Sequence, residues 1–379
     1  MPSATQPPSE PEHTHWPRVA LLIGAGIAAA VHIGKVPGAL PVIAADLAFD
    51  LSTSALLTSI YSLISAMGGL FFGLSARRFG PRRLLVVGLV LASAASLVGA
   101  SAHANGLLLT TRVFEGLGFI IVSVAAPVLI MAATASRDRR LALGLWGSYV
   151  PAGSSLMMLA TAATLTPFGW RGVWVLAAAA TAAMALAILA GVRAPATPSQ
   201  LPPAAADLRA GLSDALAPPS RRLSACFLVY GAQYLAVVSF LPLILVETAG
   251  LSVAAAGLCG AMVAAANILG NVGAGWLGVR GWRVDRVVAI GALGMGLGAL
   301  PIFVTAAPVS VKVGSAMLFC AIGGLIPGTL LGAAPRAART PVAAAAVVGL
   351  MIQGAGIGQL LGPPIFAVVV NAWGGWSGG

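Results

Sequence analysis

Long apolar stretches alternate with short basic segments along this chain of 379 residues, and the basic residues fall in every second gap. All Lys and Arg residues follow this alternation except Lys35, Arg112, Arg171 and Lys312. A soluble protein has no reason to keep such a pattern, whereas the cytoplasmic loops of a membrane protein retain Lys and Arg. The alternation therefore predicts a multi-pass protein of the cell inner membrane. Arg18, ahead of the first stretch, places the N-terminus in the cytoplasm.

The composition excludes an ordinary soluble domain. The chain is 59% hydrophobic and only 8% charged, whereas a globular domain carries about 25% charged residues. The net charge of +11 would suit nucleic acid, but the Arg residues lie in short clusters between apolar stretches and not on one basic face. We therefore expect the lipid bilayer as a partner, because its anionic headgroups attract such clusters, and no nucleic acid.

The apolar stretches are long enough to cross a bilayer, since about 20 apolar residues span ~30 Å of hydrocarbon. A tail over 1–17 precedes six spans within 18–192, and a Pro-rich cytoplasmic linker over 193–221 separates them from five spans within 222–379. The linker has room for one short helix near Asp207–Leu216. The eleven spans are predicted at 18–45, 51–76, 82–103, 105–134, 139–166, 171–192, 222–247, 251–279, 285–306, 309–333 and 340–370.

Part of the sequence is repeated. Gly153 in the fifth span and Gly358 in the eleventh are 205 residues apart, and Trp170 and Trp376 after these spans are 206 apart. Two copies of one six-span unit explain these offsets. The second copy stops three residues after Trp376, where a twelfth span should begin. We expect a truncated chain, and the alternative is a related protein that has lost the twelfth helix.

The loop between the second and third spans carries a recognisable motif, with Gly73, Arg78, Gly80, Arg82 and Arg83 at the expected places. It resembles the signature of the major facilitator superfamily in this loop. Ser75 and Arg77 depart from it, because they replace its usual Leu and Asp. The resemblance implies a gating loop, which here comprises Gly73, Arg77, Arg78, Gly80, Arg82 and Arg83. It also implies two pseudo-symmetric six-helix halves that transport a solute by alternating access around a central cavity.

The fourth span carries two ionisable residues on one helical face. Arg112 and Glu115 are three residues apart, and Gly116 and Gly118 follow them. This pattern also resembles the superfamily's fourth span. Ionisable residues inside a span are expensive and usually face a water-filled path. We expect Arg112 to bind the substrate and Glu115 to carry a coupling proton, or the two to form a structural pair.

The first span contains His32 and Lys35, one helical turn apart. Pro37 and Pro41 follow, so we expect a break or a kink there, as in the binding sites of many transporters. Lys35 has no acidic residue three or four positions away. A substrate anion or another helix must therefore compensate its charge, and Lys35 and His32 are candidate substrate-binding residues.

Further polar residues in the spans could contribute to a polar cavity, although each could equally form a hydrogen bond between helices. Arg171 and Lys312 lie near span ends, where we expect their side chains to extend to the interface. The additional candidate substrate-binding residues are Tyr149, Gln233, Tyr234, Asn267 and Gln353.

The whole pattern, with a cation in the first span and Trp146, Pro151 and Gly153 in the fifth, is most similar to cyanate- and nitrate-type porters. This resemblance implies a secondary transporter of a small anionic solute held by Lys35, with Glu115 or His32 as the proton carrier. We also expect a monomer. The alternatives are a proton-coupled antiporter that exports drugs or metabolites, and a non-transporting truncated product or membrane sensor. The sequence contains no phosphate loop, catalytic triad or metal cluster, so we expect neither an enzyme nor a cofactor.

Overall fold

The computed structural model describes residues 12–75, 80–192, 205–304 and 306–379. These residues form helices joined by short turns, and no β-strand occurs among them. The α-helices are α1 Trp16–Asp46, α2 Leu51–Ser59, α3 Leu63–Ser75, α4 Pro81–Ala100, α5 Asn105–Ala132, α6 Arg139–Gly147, α7 Tyr149–Gly191, α8 Ala205–Leu216, α9 Pro218–Ala249, α10 Val253–Val279, α11 Val284–Ala299, α12 Val309–Gly323, α13 Leu325–Ala333 and α14 Pro341–Ala372.

Ten helical segments of the described chain are long and apolar enough to cross a membrane. One of them, Ser136–Gly191, has 56 residues. At 1.5 Å per residue it would be roughly 84 Å long, more than twice the thickness of the hydrocarbon core. The segment turns at Gly169, where φ is 64°, and so provides two spans. Within the described residues the predicted all-α fold with eleven spans is confirmed. In chain order the spans are α1, α2 with α3, α4, α5, α6 with α7 up to Gly169, the rest of α7, α9, α10, α11, α12 with α13, and α14.

The region between the sixth and seventh spans is more helical than expected. The short helix predicted in the linker is present as α8, whose Asp214 side chain accepts a hydrogen bond from the backbone of Arg339 at 2.9 Å. The seventh span begins at Pro218, four residues before its predicted start. The sequence prediction was wrong there because proline is tolerated in the first turn of a helix, where its missing N–H has no partner to lose.

Helix breaks occur in other spans than predicted. The first span, α1, continues through Pro37 and Pro41 without a break, because this stretch is buried among neighbouring helices that support the backbone. Instead, the second span changes to a 3-10 helix over Ile60–Ser62, between α2 and α3. The fifth and tenth spans are also interrupted, at Ser148 and Gly324.

The internal repeat is visible in equivalent contacts of the two halves. A methyl group at Gly153 of the fifth span would collide with the carbonyl oxygen of Ile27 in the first, and one at Gly358 of the eleventh with that of Leu228 in the seventh. Ile27 and Leu228 are 201 residues apart in the sequence, and the two glycines are 205 residues apart. Equivalent helices therefore pack closely in both copies, the first against the fifth and the seventh against the eleventh.

The two tryptophans of the repeat also make equivalent contacts. The Trp170 indole N–H donates to Asp46 Oδ2 at 2.9 Å, and the Trp376 indole N–H donates to Glu247 Oε2 at 2.8 Å. Each bond joins the end of a fifth or eleventh span to the end of the first span of the same copy. The shared sequence offset thus corresponds to a shared hydrogen bond at the predicted outer end.

The two copies meet along the second and eleventh spans. The Ser62 hydroxyl donates to Gln359 Oε1 at 2.9 Å, and the backbone N–H of Leu70 donates to Gln353 Oε1 at 3.2 Å. A second line of contact runs between the fifth and eighth spans, where Met158 lies against Gly260. These two lines of contact join the two copies.

Candidate functional site

Four ionisable residues from the first and fourth spans form one buried cluster. Glu115 accepts a hydrogen bond from Lys35 through Oε1 and another from Arg112 through Oε2, so both carboxylate oxygens pair with cations. The His32 ring lies beside them, with Nδ1 3.3 Å from Lys35 Nζ and 3.6 Å from Glu115 Oε1. All four residues are at most 1% exposed. Another helix therefore compensates Lys35, one of the two possibilities that the sequence left open.

The surroundings of Lys35 complete its coordination within the first copy of the repeat. Its ammonium group donates to Ser96 Oγ at 2.8 Å and lies 4.2 Å from the centroid of the Trp174 ring. Ser96 belongs to the third span and Trp174 to the sixth. A cation over an indole face is stabilised by the quadrupole of the ring. Lys35 thus sits among four helices of one copy and not between the two copies.

Several polar atoms of the cluster have no hydrogen-bond partner. They are Nε2 of His32, Nε of Arg112 and Nε1 of Trp174. Buried polar groups are normally paired, and an unpaired one costs free energy. The cluster therefore has free hydrogen-bonding capacity that water or a proton-accepting group could use.

A central cavity of about 10 Å³ lies between the two copies, enough for about one water molecule. Of the predicted site residues only Tyr234 lines it, and no charged residue does. The lining residues are Ile33, Thr58, Tyr61, Ser62, Val150, Tyr234, Leu235 and Gln359. The Tyr234 hydroxyl is buried and has no hydrogen-bond partner, so it is available to a bound molecule.

Sequence reasoning missed the contribution of the second span to this cavity. Thr58, Tyr61 and Ser62 follow the i, i+3, i+4 spacing of one helical face in a span that also carries other Ser and Thr residues. That spacing was the available signal. Gln359 was visible as a polar residue of the eleventh span, but nothing in its spacing linked it to the second span.

Tyr61 lies between the ion cluster and the cavity and contacts both. The guanidinium carbon of Arg112 lies 4.6 Å from the centroid of the Tyr61 ring, and Tyr61 is 3% exposed. The same ring lies beside Phe119, with centroids 5.3 Å apart. One aromatic side chain therefore separates the buried charges from the cavity.

Asn267 belongs to a polar network of the second copy. Its amide donates to the Tyr230 hydroxyl and to the Cys320 carbonyl, both at 3.0 Å, while its Oδ1 accepts from Asn271 at 2.9 Å. The Tyr230 and Tyr234 rings stack, with centroids 5.6 Å apart. Asn267 thus holds the seventh, eighth and tenth spans together and supports Tyr234 indirectly.

The other predicted substrate-binding residues lie away from the cavity. Tyr149 stacks on Trp146, with centroids 4.1 Å apart, and its hydroxyl bonds Ser123. Gln353 connects the two copies through Leu70. Gln233 is exposed, because it lies about 100° around the helix from the buried Tyr234. For these three residues a substrate role stays a prediction without a place on the cavity wall.

The predicted gating loop is only partly described, and Arg77 and Arg78 lie outside the described residues. Gly73 lies in α3, and Gly80 has a φ of 75°, the left-handed conformation that the turn before α4 requires. Arg82 donates to the carbonyl oxygens of Val192 and Leu189 at the end of the sixth span. Arg83 is exposed.

The other two cations outside the alternation differ from each other. Arg171 is partly exposed at the end of the bundle and pairs with Asp46 at 2.8 Å, as an interface position predicts. Lys312 is buried, and its ammonium group donates to Thr248 Oγ1 at 2.9 Å. Lys312 and Thr248 lie in the end turns of their helices, α12 and α9, so the expectation that Lys312 extends to the interface stays a prediction.

Comparison with known proteins gives consistent matches. A family model described as "Major Facilitator Superfamily" matches residues 21–363. Monocarboxylate transporter 11 of Homo sapiens is 30% identical over 338 residues, which cover 82% of this chain and 67% of that protein. The multidrug efflux pump LfrA of Mycolicibacterium smegmatis is 29% identical over 177 residues. That match covers 46% of this chain and 34% of the pump, so the chain spans about a third of the pump's length.

The fold is shared with solved transporter structures. A bacterial homologue of the human lysosomal transporter Spinster, in an inward-facing and unoccupied conformation, superposes with a TM-score of 0.76 at 18% identity. The superposition covers 94% of this chain and 83% of that structure. At this identity the likeness concerns the fold alone.

Proposed function

The chain belongs to the Major Facilitator Superfamily, and on that premise we propose that it is a secondary active transporter of a small anionic solute, driven by a proton gradient. The observation that carries the proposal is the charge balance of the buried cluster. Lys35 and Arg112 contribute two positive charges, Glu115 contributes one negative charge, and His32 is counted as neutral. The cluster therefore holds one excess positive charge where desolvation costs several kcal/mol.

An excess positive charge inside the membrane favours an anion nearby. Charges interact more strongly in the low-dielectric interior than in water. Arg112 lies against Tyr61, and Tyr61 lines the central cavity. An anion that enters when this water-sized cavity widens would therefore lie within one aromatic ring of the excess charge. The unpartnered Tyr234 hydroxyl could donate a hydrogen bond to it from the other copy.

Glu115 is the best candidate for the coupling proton. It is the acidic residue that both cations share, so its protonation would raise the net charge of the cluster from one to two. A more positive cluster binds an anion more tightly, and by thermodynamic reciprocity the anion would promote protonation. His32, whose Nε2 has no partner, is the second candidate.

One relative supports the class of solute, although not its identity. A monocarboxylate, named for the human relative, is a small anion, as are the cyanate and nitrate that the sequence resemblance implies. We therefore propose the shared chemistry, a compact singly charged anion. The resemblance to cyanate- and nitrate-type porters stays a prediction.

Uptake into proteoliposomes tests this function. We expect an inward proton gradient to drive accumulation of labelled lactate, nitrate or cyanate, and Glu115→Gln and Lys35→Met to abolish it. Lys312→Met is the matched control, because it removes another buried lysine that lies outside the cluster. If none of the three anions accumulates, or if Lys312→Met is as damaging as Lys35→Met, the proposal fails.

Proton-coupled efflux of lipophilic compounds is the second candidate. It is favoured by the uncharged cavity wall with its two tyrosines and by the match to the efflux pump LfrA. Proton-driven ethidium export from inverted vesicles that persists in Lys35→Met would support it over anion transport. Absence of any flux would favour the third alternative, a product that does not transport.

We also propose the predicted orientation and organisation. These are a cytoplasmic N-terminus, halves over 18–192 and 222–379 joined by the linker over 193–221, and a monomer. The Arg-rich loop ends support the orientation through the positive-inside bias. Labelling of single cysteines introduced at Arg18 and at His103 from either side of the membrane tests it.

A further inference from the structure

We propose that Tyr61 is a positioning residue that transmits the protonation state of Glu115 to the joint of the second span, the 3-10 turn Ile60–Ser62 between α2 and α3. Through this joint the change reaches the contact between the two copies. This inference rests on the proposed proton coupling at Glu115. It gives Tyr61 a role in moving the helices, distinct from binding the proton or the solute.

Tyr61 lies in the middle of a discontinuity. The second span is α-helical over Leu51–Ser59 and again over Leu63–Ser75, and the 3-10 turn Ile60–Ser62 joins the two parts. A 3-10 stretch within a helix has poorer hydrogen-bond geometry and often marks a hinge. A change in the position of the Tyr61 ring therefore acts where this span bends most easily.

The fourth span holds Tyr61 from both sides of Glu115. Arg112, one turn before Glu115, lies over the Tyr61 ring at 4.6 Å. Gly116, directly after Glu115, lies so close to the Tyr61 backbone that a methyl group there would collide with its carbonyl oxygen. The residues that flank the carboxylate thus contact both the ring and the backbone of the joint.

The next residue carries the contact across to the other copy. Ser62 donates to Gln359 of the eleventh span at 2.9 Å, and both residues line the cavity beside Tyr61. A continuous series of contacts therefore leads from Glu115 through Arg112, Tyr61 and Ser62 to Gln359. Each step is a direct contact in space and not a sequence correlation.

The charge on Glu115 controls the position of Arg112. While Glu115 is ionised, it shares the Arg112 guanidinium with the Tyr61 ring and the His32 carbonyl oxygen, which accepts at 2.8 Å. When Glu115 is protonated, its pull on the guanidinium falls, and only the ring and the carbonyl retain the group. We expect a shift of Arg112 to move the ring that it covers.

The charged and titratable groups that face Glu115 in the described residues come from three spans. They are Lys35 and His32 of the first, Arg112 of the fourth itself and Tyr61 of the second, whereas the third and sixth contribute the uncharged Ser96 and Trp174. Lys35 and Arg112 disfavour protonation of Glu115. Only Arg112 also touches Tyr61, so it is the one cation that can pass the change on.

Distance measurements between spin labels test the inference without a known solute. Labels at the exposed positions Leu56 and Ile365, near the outer ends of the second and eleventh spans, report the separation of the copies. The background lacks Cys226, Cys259 and Cys320. We expect the distance distribution of the parent protein in nanodiscs to shift between acidic and alkaline buffer, and Glu115→Gln to remove this shift.

Four further variants identify the role of Tyr61. Tyr61→Leu and Arg112→Lys, which removes the planar face but keeps the charge, should lose the shift as Glu115→Gln does. Tyr61→Phe and Phe119→Leu, which both keep an aromatic ring under Arg112, should retain it. Retention of the full shift in both Tyr61→Leu and Arg112→Lys, or its loss in Phe119→Leu, overturns the role of Tyr61. A parent protein that shows no Glu115-dependent shift instead overturns the proton coupling itself.

Discussion

Lys35 of the first span donates a hydrogen bond to Glu115 of the fourth, and both side chains are completely buried. Because Glu115 also pairs with Arg112, one carboxylate holds two cations from two helices. This arrangement stabilises the charges against desolvation and leaves the cluster with an excess positive charge. The same carboxylate therefore has a structural role and a place in the proposed coupling.

Removal of the Glu115 charge should destabilise the protein strongly. Glu115→Gln leaves Lys35 and Arg112 without a counter-charge, and breaking a buried pair in this way typically costs about 3–5 kcal/mol. Thermal unfolding in detergent should show the loss. The double variant Glu115→Gln with Lys35→Met should recover much of it, because the uncompensated lysine is gone. A double variant no more stable than Glu115→Gln alone would contradict this account.

The two tryptophan–carboxylate bonds of the repeat should differ in their effects. Trp170→Phe and Trp376→Phe each remove one indole N–H, but Trp170 is 2% exposed whereas Trp376 is less buried. Asp46 also binds Arg171, so a loss of Trp170 disturbs a larger set of bonds. We expect Trp170→Phe to lower Tm by a few degrees and Trp376→Phe to lower it less, as measured by scanning fluorimetry. Equal decreases in Tm would indicate that the burial of the tryptophan does not determine how much its hydrogen bond stabilises the protein.

The sequence was most informative where the bilayer constrains it. Span positions follow from hydropathy because every backbone group in lipid must bond within a helix, and the Trp170 and Trp376 offset correctly indicated equivalent helices. Contacts between distant spans could not be read in this way. Glu115 was visible as an ionisable residue, but its pairing with Lys35 depends on how two helices pack. Tyr61 was missed because its role comes from a joint that no proline marks.

Arg82 should stabilise the end of the sixth span. Its guanidinium bonds the carbonyl oxygens of Leu189 and Val192 at the C-terminal end of α7, where the last carbonyl groups of a helix lack intrahelical donors and a cation complements the helix dipole. Arg82→Ala should therefore speed hydrogen–deuterium exchange in the last turns of α7. Arg83→Ala is the matched control, since Arg83 is exposed in the same turn. An equal increase in exchange in both variants would mean that the positive charge of the loop, and not the hydrogen bonds of Arg82, protects these turns.

Variants of two neighbouring tyrosines should distinguish an effect on solute binding from an effect on protein stability. The Tyr230 hydroxyl accepts a hydrogen bond from Asn267, so Tyr230→Phe should lower the free energy of unfolding by about 1 kcal/mol. Tyr234 lines the cavity and its hydroxyl has no hydrogen-bond partner, so Tyr234→Phe should leave Tm nearly unchanged.

For transport kinetics we expect the opposite: Tyr234→Phe should have the larger effect on KM and Tyr230→Phe the smaller one. If Tyr234 donates to the bound anion, Tyr234→Phe should raise KM by roughly tenfold, the loss of one hydrogen bond to a charged group. Tyr230→Phe should change KM little, because its hydroxyl is already engaged within the protein. Proteoliposome uptake with the anion that accumulates best measures both values. A KM for Tyr234→Phe that equals the parent value would remove this hydroxyl from the binding site, whatever the solute.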